Sequence, residues 1–309
     1  MSDKYFPDLV GQRAVKKKLA FYIEAFNKTR QCPFLFFAGR AGIGKTEFAK
    51  AFAKNLYTED GAKRPFLELN CSTIKNNEQF FEQIFLPLIA DNEIVVLFDE
   101  AHELPSDLEQ AFLTVFNSEK KSRKTISWNE MNFEFDFKRQ TFIFATTESD
   151  KLFPPLKDRL TVIDFEPYSD IELGKILELC APETFFPPDC LKAIVGTLRG
   201  NARSAVKRAK EIALYCGAKD KFDFNLDDFK ALQDAVGILP LGITYTEKQI
   251  LEKLHNHGAL TLTTLCAKLG MSKTSIQRDH ELYLLSKNLM EIDGKRKITS
   301  KGREVCEAF

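Results

Sequence analysis

The chain has 309 residues, more than one average core accommodates, so two or three domains are expected. Lys+Arg and Asp+Glu balance at 44 each, which removes any whole-chain argument for nucleic-acid binding and makes every such case local. Seven cysteines without a C-x-x-C pair, and only four histidines, argue against zinc and for reduced thiols in a cytosol. No apolar run approaches the ~20 residues that span a bilayer.

Val15, Leu19, Tyr22, Ile23 and Phe26 recur at three- and four-residue spacing and predict a helix over 12–27. Pro33 to Ala38 is a short apolar strand that ends at Gly39, and a helix is expected from Lys45 to about Leu56. Further strands are predicted at 66–70, 93–98 and 141–145, with helices at 79–89, despite Pro87, and 108–116. Met131, Phe133, Phe135 and Phe137 alternate with polar residues as in a half-buried strand. Strands that alternate with helices predict an α/β fold with a parallel sheet covered on both faces. Between about 170 and 236 only helices are predicted, and Gly237 to Gly242 reads as a linker. Beyond it, helices at 246–255 and 262–269 precede a third that starts after the N-cap Ser272. Two short strands then flank Asp293-Gly294, a strong turn signal. Helix–turn–helix plus a basic hairpin is a winged helix. The expected domains are an ATPase domain at 1–166, a helical lid at 167–237 and the winged helix at 238–309.

Two motifs carry chemistry. Gly39-Arg-Ala-Gly42-Ile-Gly44-Lys45-Thr46 satisfies G-x-x-x-x-G-K-[ST], between a strand and a helix. Its glycines let backbone N–H groups curl around phosphates, Lys45 reaches the β- and γ-phosphates of ATP, and the Thr46 hydroxyl binds Mg²⁺. The second is the apolar strand that ends in Asp99-Glu100. Asp99 is expected on Mg²⁺ and Glu100 on the attacking water.

The order of motifs resembles AAA+ ATPases and, within them, the RuvB family of Holliday-junction branch-migration motors. The likeness starts at Phe6-Pro-Asp-Leu-Val10-Gly11-Gln12, similar to the segment that flanks the adenine. It implies Val10 and Glu47 among the nucleotide contacts, and Thr146, with Thr147 second, as the residue that senses the γ-phosphate. It implies Arg159 as an arginine finger reaching a neighbouring subunit, Tyr168 near the base, and Arg203 facing the phosphates from the lid. A finger acting in trans implies a ring, and the resemblance implies a hexamer around duplex DNA. In the winged helix it implies phosphate contacts by Lys273, Arg278, Lys295, Arg296 and Lys297, with Arg296 the foremost. The sequence departs from the family at Arg40 and Ala41, where two prolines are usual. It departs again at 117–128, basic and polar where the family's RuvA-binding hairpin has an apolar tip. A polar tip argues against a RuvA-like partner docking there and leaves Lys120, Lys121, Arg123 and Lys124 for DNA or solvent. The alternative function is an ATP-switched loader or initiator that binds DNA and recruits a partner without processive movement.

Overall fold

The computed structural model describes residues 2–115, 123–128, 131–136 and 139–309, with side chains over 3–113 and 139–309. It divides into two compact units, Met1–Glu172 with Gly200–Arg203, and Leu173–Arg199 with Ser204–Phe309.

In the first unit, α1 (Arg13–Thr29) precedes β1 (Leu35–Ala38), and α2 (Lys45–Ala53) precedes β2 (Phe66–Asn70). The short α3 (Asn77–Gln79) runs into a π-type helix, Phe80–Ile89, whose wider turns contain Pro87. Then come β3 (Ile94–Asp99), α4 (Ser106–Val115), β4 (Arg123–Trp128), β5 (Met131–Asp136) and β6 (Gln140–Thr146). The unit's last strand, β7 (Thr161–Asp164), follows the one-turn α5 (Pro154–Lys157). Five strands form a parallel sheet in the order β2-β3-β6-β1-β7. The edge strand β7 was not expected. It is four residues long and only Ile163 in it is buried, so it carries no alternation to read.

Many of the phenylalanines are core. Phe36, Phe80, Phe98, Phe112, Phe142 and Phe144 share one buried cluster, in which the Phe98 and Phe144 rings stack at 4.8 Å. The parallel strands are apolar on both faces because both faces are covered. One polar side chain in this core has a clear task. The buried Gln140 amide donates to the carbonyls of Ile89, Ala90 and Asn92 at 3.2, 3.0 and 3.1 Å, closing the end of the π-type helix.

The second unit is helical: α6 (Asp170–Cys180, its first turn in the first unit), α7 (Pro188–Val195), α8 (Ala202–Ala218) and α9 (Leu226–Val236). A capping box on Thr244 starts α10 (Tyr245–His257), which is followed by α11 (Leu262–Leu269). The third helix of the winged helix is composite. It comprises α12 (Lys273–Ser275), a π-type turn (Ile276–Glu281) and α13 (Leu282–Ser286), with Ser272 accepting from the Ser275 N–H at 3.1 Å. The wing is β8 (Met290–Asp293) against β9 (Lys295–Ile298), and α14 (Ser300–Glu307), not expected from the sequence, closes the chain.

A buried carboxylate joins the helical segment to the winged helix inside this unit. Arg199, in a left-handed conformation (φ 58°), grips the fully buried Glu247 with two hydrogen bonds of 3.1 and 3.0 Å. Its guanidinium lies 3.4 Å from the centre of the Tyr283 ring. Glu247 is also the capping-box acceptor of α10, taking the Thr244 N–H at 2.7 Å.

Candidate functional site: a phosphate-gripping sheet edge and a basic wing

The candidate site lies at the C-terminal edge of three neighbouring strands, β3, β6 and β1, where a parallel sheet presents its ligands. The loop after β1 turns through left-handed Gly42 (φ 75°) and Gly44 (φ 92°) before α2 begins at Lys45. The buried Lys45 ammonium donates to the carbonyls of Gly39 and Arg40 at 2.7 and 3.1 Å. Burial holds its pKa below the usual lysine range; Glu100 and Asp99 pull the other way, and the charge of Arg203 adds to the lowering. The Thr46 hydroxyl meets Asp99 Oδ2 at 3.4 Å. Glu47 is exposed and pairs with Lys50 at 3.7 Å.

Glu100 follows β3 in a left-handed conformation (φ 53°), uncommon for a residue with a Cβ. Its Oε2 accepts from the Thr147 hydroxyl at 3.3 Å. The two threonines, expected in the order Thr146 then Thr147 at the γ-phosphate, make different contacts. Thr146 ends β6 with its side chain buried, and its hydroxyl lies 2.7 Å from His102 Nδ1. Thr147, just beyond the strand, is the one that meets Glu100.

The start of α8 also returns to this loop. The Arg203 N–H donates to the Gly42 carbonyl at 3.0 Å, and the Asn201 amide donates to the Ala41 carbonyl at 3.0 Å. Asn201 was missed; the signal was its place two residues before Arg203. Tyr168 is buried, and its hydroxyl donates to the Ile43 carbonyl at 3.2 Å. Burial, with help from Glu172, pushes its phenol up to about 12. Val10 is half-buried beside Gly11, whose left-handed backbone lies against Glu172 and Tyr168. The structure thus brings Lys45, Thr46, Asp99, Glu100, Thr147, Tyr168 and Arg203 to one sheet edge. Arg159 stands apart, exposed, with Nη1 bonded to the Pro155 carbonyl at 2.6 Å.

In the winged helix, Lys273 and Arg278 are exposed on the third helix, and Arg278 pairs with Asp279 at 2.9 Å. The wing corrects the preference for Arg296. The turn is confined to Gly294, so the three basic residues lie in β9 itself, and a strand alternates its faces. Ile298 is in the core, so Arg296 points the same way. Its guanidinium is buried on Glu281, at 2.7 and 3.2 Å. Lys295 is exposed, and Lys297 is half-buried and pairs with Asp293 at 3.2 Å; these two are the wing's outward cations.

The register of the hairpin places its basic residues. β4 and β5 pair antiparallel with Trp128 opposite Met131 at the closed end and Arg123 opposite Asp136 at the open end. Trp128 and Met131 are its last described pair, Asn129 and Glu130 between them fall outside the described residues, and Arg123 and Lys124 lie at its base. Lys120 and Lys121 fall outside the described residues.

Comparison with known proteins agrees with this geometry. Residues 35–168 match the AAA family, the ATPase family associated with various cellular activities, and residues 240–307 match the RuvB C-terminal winged helix domain. The Holliday junction branch migration complex subunit RuvB of Campylobacter fetus is 25% identical over 308 residues, covering 96% of this chain and 85% of its own. The replication factor C small subunit of Picrophilus torridus is 29% identical over 213 residues, but covers 66% of this chain and 61% of its own. The solved structure of the Thermotoga maritima RuvB Holliday junction branch migration motor shares the fold, with a TM-score of 0.76 at 20% identity over 96% of this chain and 95% of that one. An AAA domain, a winged helix of the RuvB type and a RuvB-like fold along nearly the whole chain make this a RuvB-like AAA+ ATPase.

Proposed function

We propose that this chain is the subunit of a hexameric ring that hydrolyses ATP between neighbouring subunits and drives duplex or four-way-junction DNA. The observation that carries the reading is the split site. Lys45, Asp99 and Glu100 stand together, while the exposed Arg159 lies apart from them and is available to an adjoining subunit. The domain division follows the same reading: ATPase domain 1–166, lid 167–237, winged helix 238–309.

Thr46 and Asp99 fit Mg²⁺, since a hydroxyl and a carboxylate 3.4 Å apart are the hard oxygen donors that ion takes, with phosphate and water completing its shell. When bound, Mg²⁺ neutralises charge on the β- and γ-phosphates. Lys45 exchanges its two carbonyl partners for phosphate oxygens. Glu100, aimed by Thr147, accepts the proton of the water that attacks the γ-phosphorus as the bond to the ADP oxygen breaks. Arg203 from its own chain and Arg159 from the next stabilise the charge that develops on the transferred group.

On the DNA side, Lys273, Arg278, Lys295 and Lys297 supply phosphate contacts, which bind without reading sequence. Docking of a RuvA-like partner at the β4–β5 hairpin is not part of this proposal, since the residues between Trp128 and Met131 are the polar Asn129 and Glu130. Among the described residues no helix is long and apolar enough to cross a membrane, and the proposed setting is the cytoplasm. A loader reading draws on the replication factor C likeness, but that likeness leaves a third of this chain uncovered and the RuvB-type winged helix unexplained.

The test is a mixed-subunit assay. Glu100→Gln and Arg159→Ala proteins are each inactive alone, and mixing them restores ATP turnover and movement of a synthetic four-way junction. Normal turnover by Arg159→Ala alone removes the shared site. Turnover without junction movement by the parent protein favours the loader.

A further inference from the structure

We propose that His102 is a positioning residue for Glu100, locking the water-activating carboxylate to the end of the sensing strand; this rests on the ATPase reading above. The His102 side chain is 7% exposed, and both ring nitrogens are engaged. Nδ1 lies 2.7 Å from the Thr146 hydroxyl and 3.5 Å from Glu100 Oε2. Nε2 faces Glu103 Oε1 at 3.3 Å and Glu148 Oε1 at 3.6 Å.

The protons follow from these partners. Carboxylates only accept, so a ring nitrogen that carries hydrogen presents it to one of them, Nε2 to Glu103 or Glu148 and Nδ1 to Glu100. The Thr146 hydroxyl accepts the Glu148 N–H at 3.0 Å and can bond Nδ1 as donor or as acceptor. The ring is thereby fixed in tilt and height by β6 on one side and by the turn after β3 on the other. Glu100 has two neighbours from this side, the Thr147 hydroxyl and the imidazole edge. Both depend on where β6 ends. A shift of that strand end, such as engagement of Thr147 by a γ-phosphate, therefore moves both holds on the carboxylate at once. His102 converts the position of the sensing strand into the position of Glu100.

The experiment uses the full chain with duplex DNA and measures kcat, KM for ATP, affinity for a fluorescent ADP analogue and thermal melting. His102→Ala is expected to lower kcat about 10- to 100-fold, the cost of a misplaced catalytic group, while KM and ADP affinity move less than about twofold. Asn keeps a polar atom near the Nδ1 position and Gln near Nε2. His102→Asn is therefore expected to recover much of the rate and His102→Gln little. In a Glu100→Gln background the alanine change is expected to add less than about a twofold further loss, because its route to the reaction is already gone. An unaltered kcat in His102→Ala, equal rescue by Asn and Gln, or a full additional loss in the Glu100→Gln background overturns the proposal. If the parent protein itself does not hydrolyse ATP, the ATPase reading falls first.

Discussion

Lys45 and Arg296 are both buried cations, and their surroundings differ in kind. Lys45 has carbonyl partners and burial depresses its pKa, whereas Arg296 has a full carboxylate partner in Glu281. A bound triphosphate supplies the charge that Lys45 lacks and raises its pKa. Binding then takes up a proton between the free and bound values, so nucleotide affinity falls as pH rises through the alkaline range below the usual lysine value. Equilibrium titration with a fluorescent nucleotide from pH 7 to the alkaline limit of folding measures this, and Lys45→Ala abolishes the binding. Arg296→Ala strands Glu281 in the interior and is expected to cost about 3–5 kcal/mol of winged-helix stability, read by chemical denaturation. Lys297→Ala leaves the melting temperature in place and reduces the salt slope of duplex binding, read by fluorescence anisotropy.

At the scale of elements, legibility followed how many positions a pattern fixes. The loop from Gly39 to Thr46 and the strand ending in Asp99-Glu100 were legible because the glycines, the lysine and the carboxylates are each required by phosphate chemistry at fixed spacing. The strand β7 and the helix α14 were not, being short and partly exposed. Arg296 was misread because its charge outweighed its phase: counting back two from the apolar Ile298 places it inward. The register of the hairpin was not legible, because a polar stretch offers no period that says which residues pair. Where β6 ends, and so which of Thr146 and Thr147 lies beyond the strand, is a one-residue question that periodicity does not resolve. Packing of α14 supplies its own prediction. A Cβ on Gly302 would stand 2.1 Å from the Leu289 carbonyl oxygen, which is backbone. Gly302→Ala is expected to destabilise the winged helix by about 1–3 kcal/mol, seen as a lower midpoint in urea, while ATP turnover without DNA stays at the parent level.

For the whole molecule, the joint within the second unit carries a prediction about coupling between ATP turnover and DNA. Arg199 stands two residues before Asn201, whose amide holds the Ala41 carbonyl. Arg199→Ala is expected to leave DNA-free turnover within about twofold and to erase most of its stimulation by duplex, measured in a coupled ATPase assay. The same joint limits which tail this motor accepts. Because Glu247 both starts α10 and clasps Arg199, a transplanted C-terminal module succeeds only if it brings an acidic residue at that step of its first helix and an aromatic ring beneath the guanidinium. A grafted DNA-binding head that lacks both residues is therefore expected to leave ATP turnover running without any response to duplex.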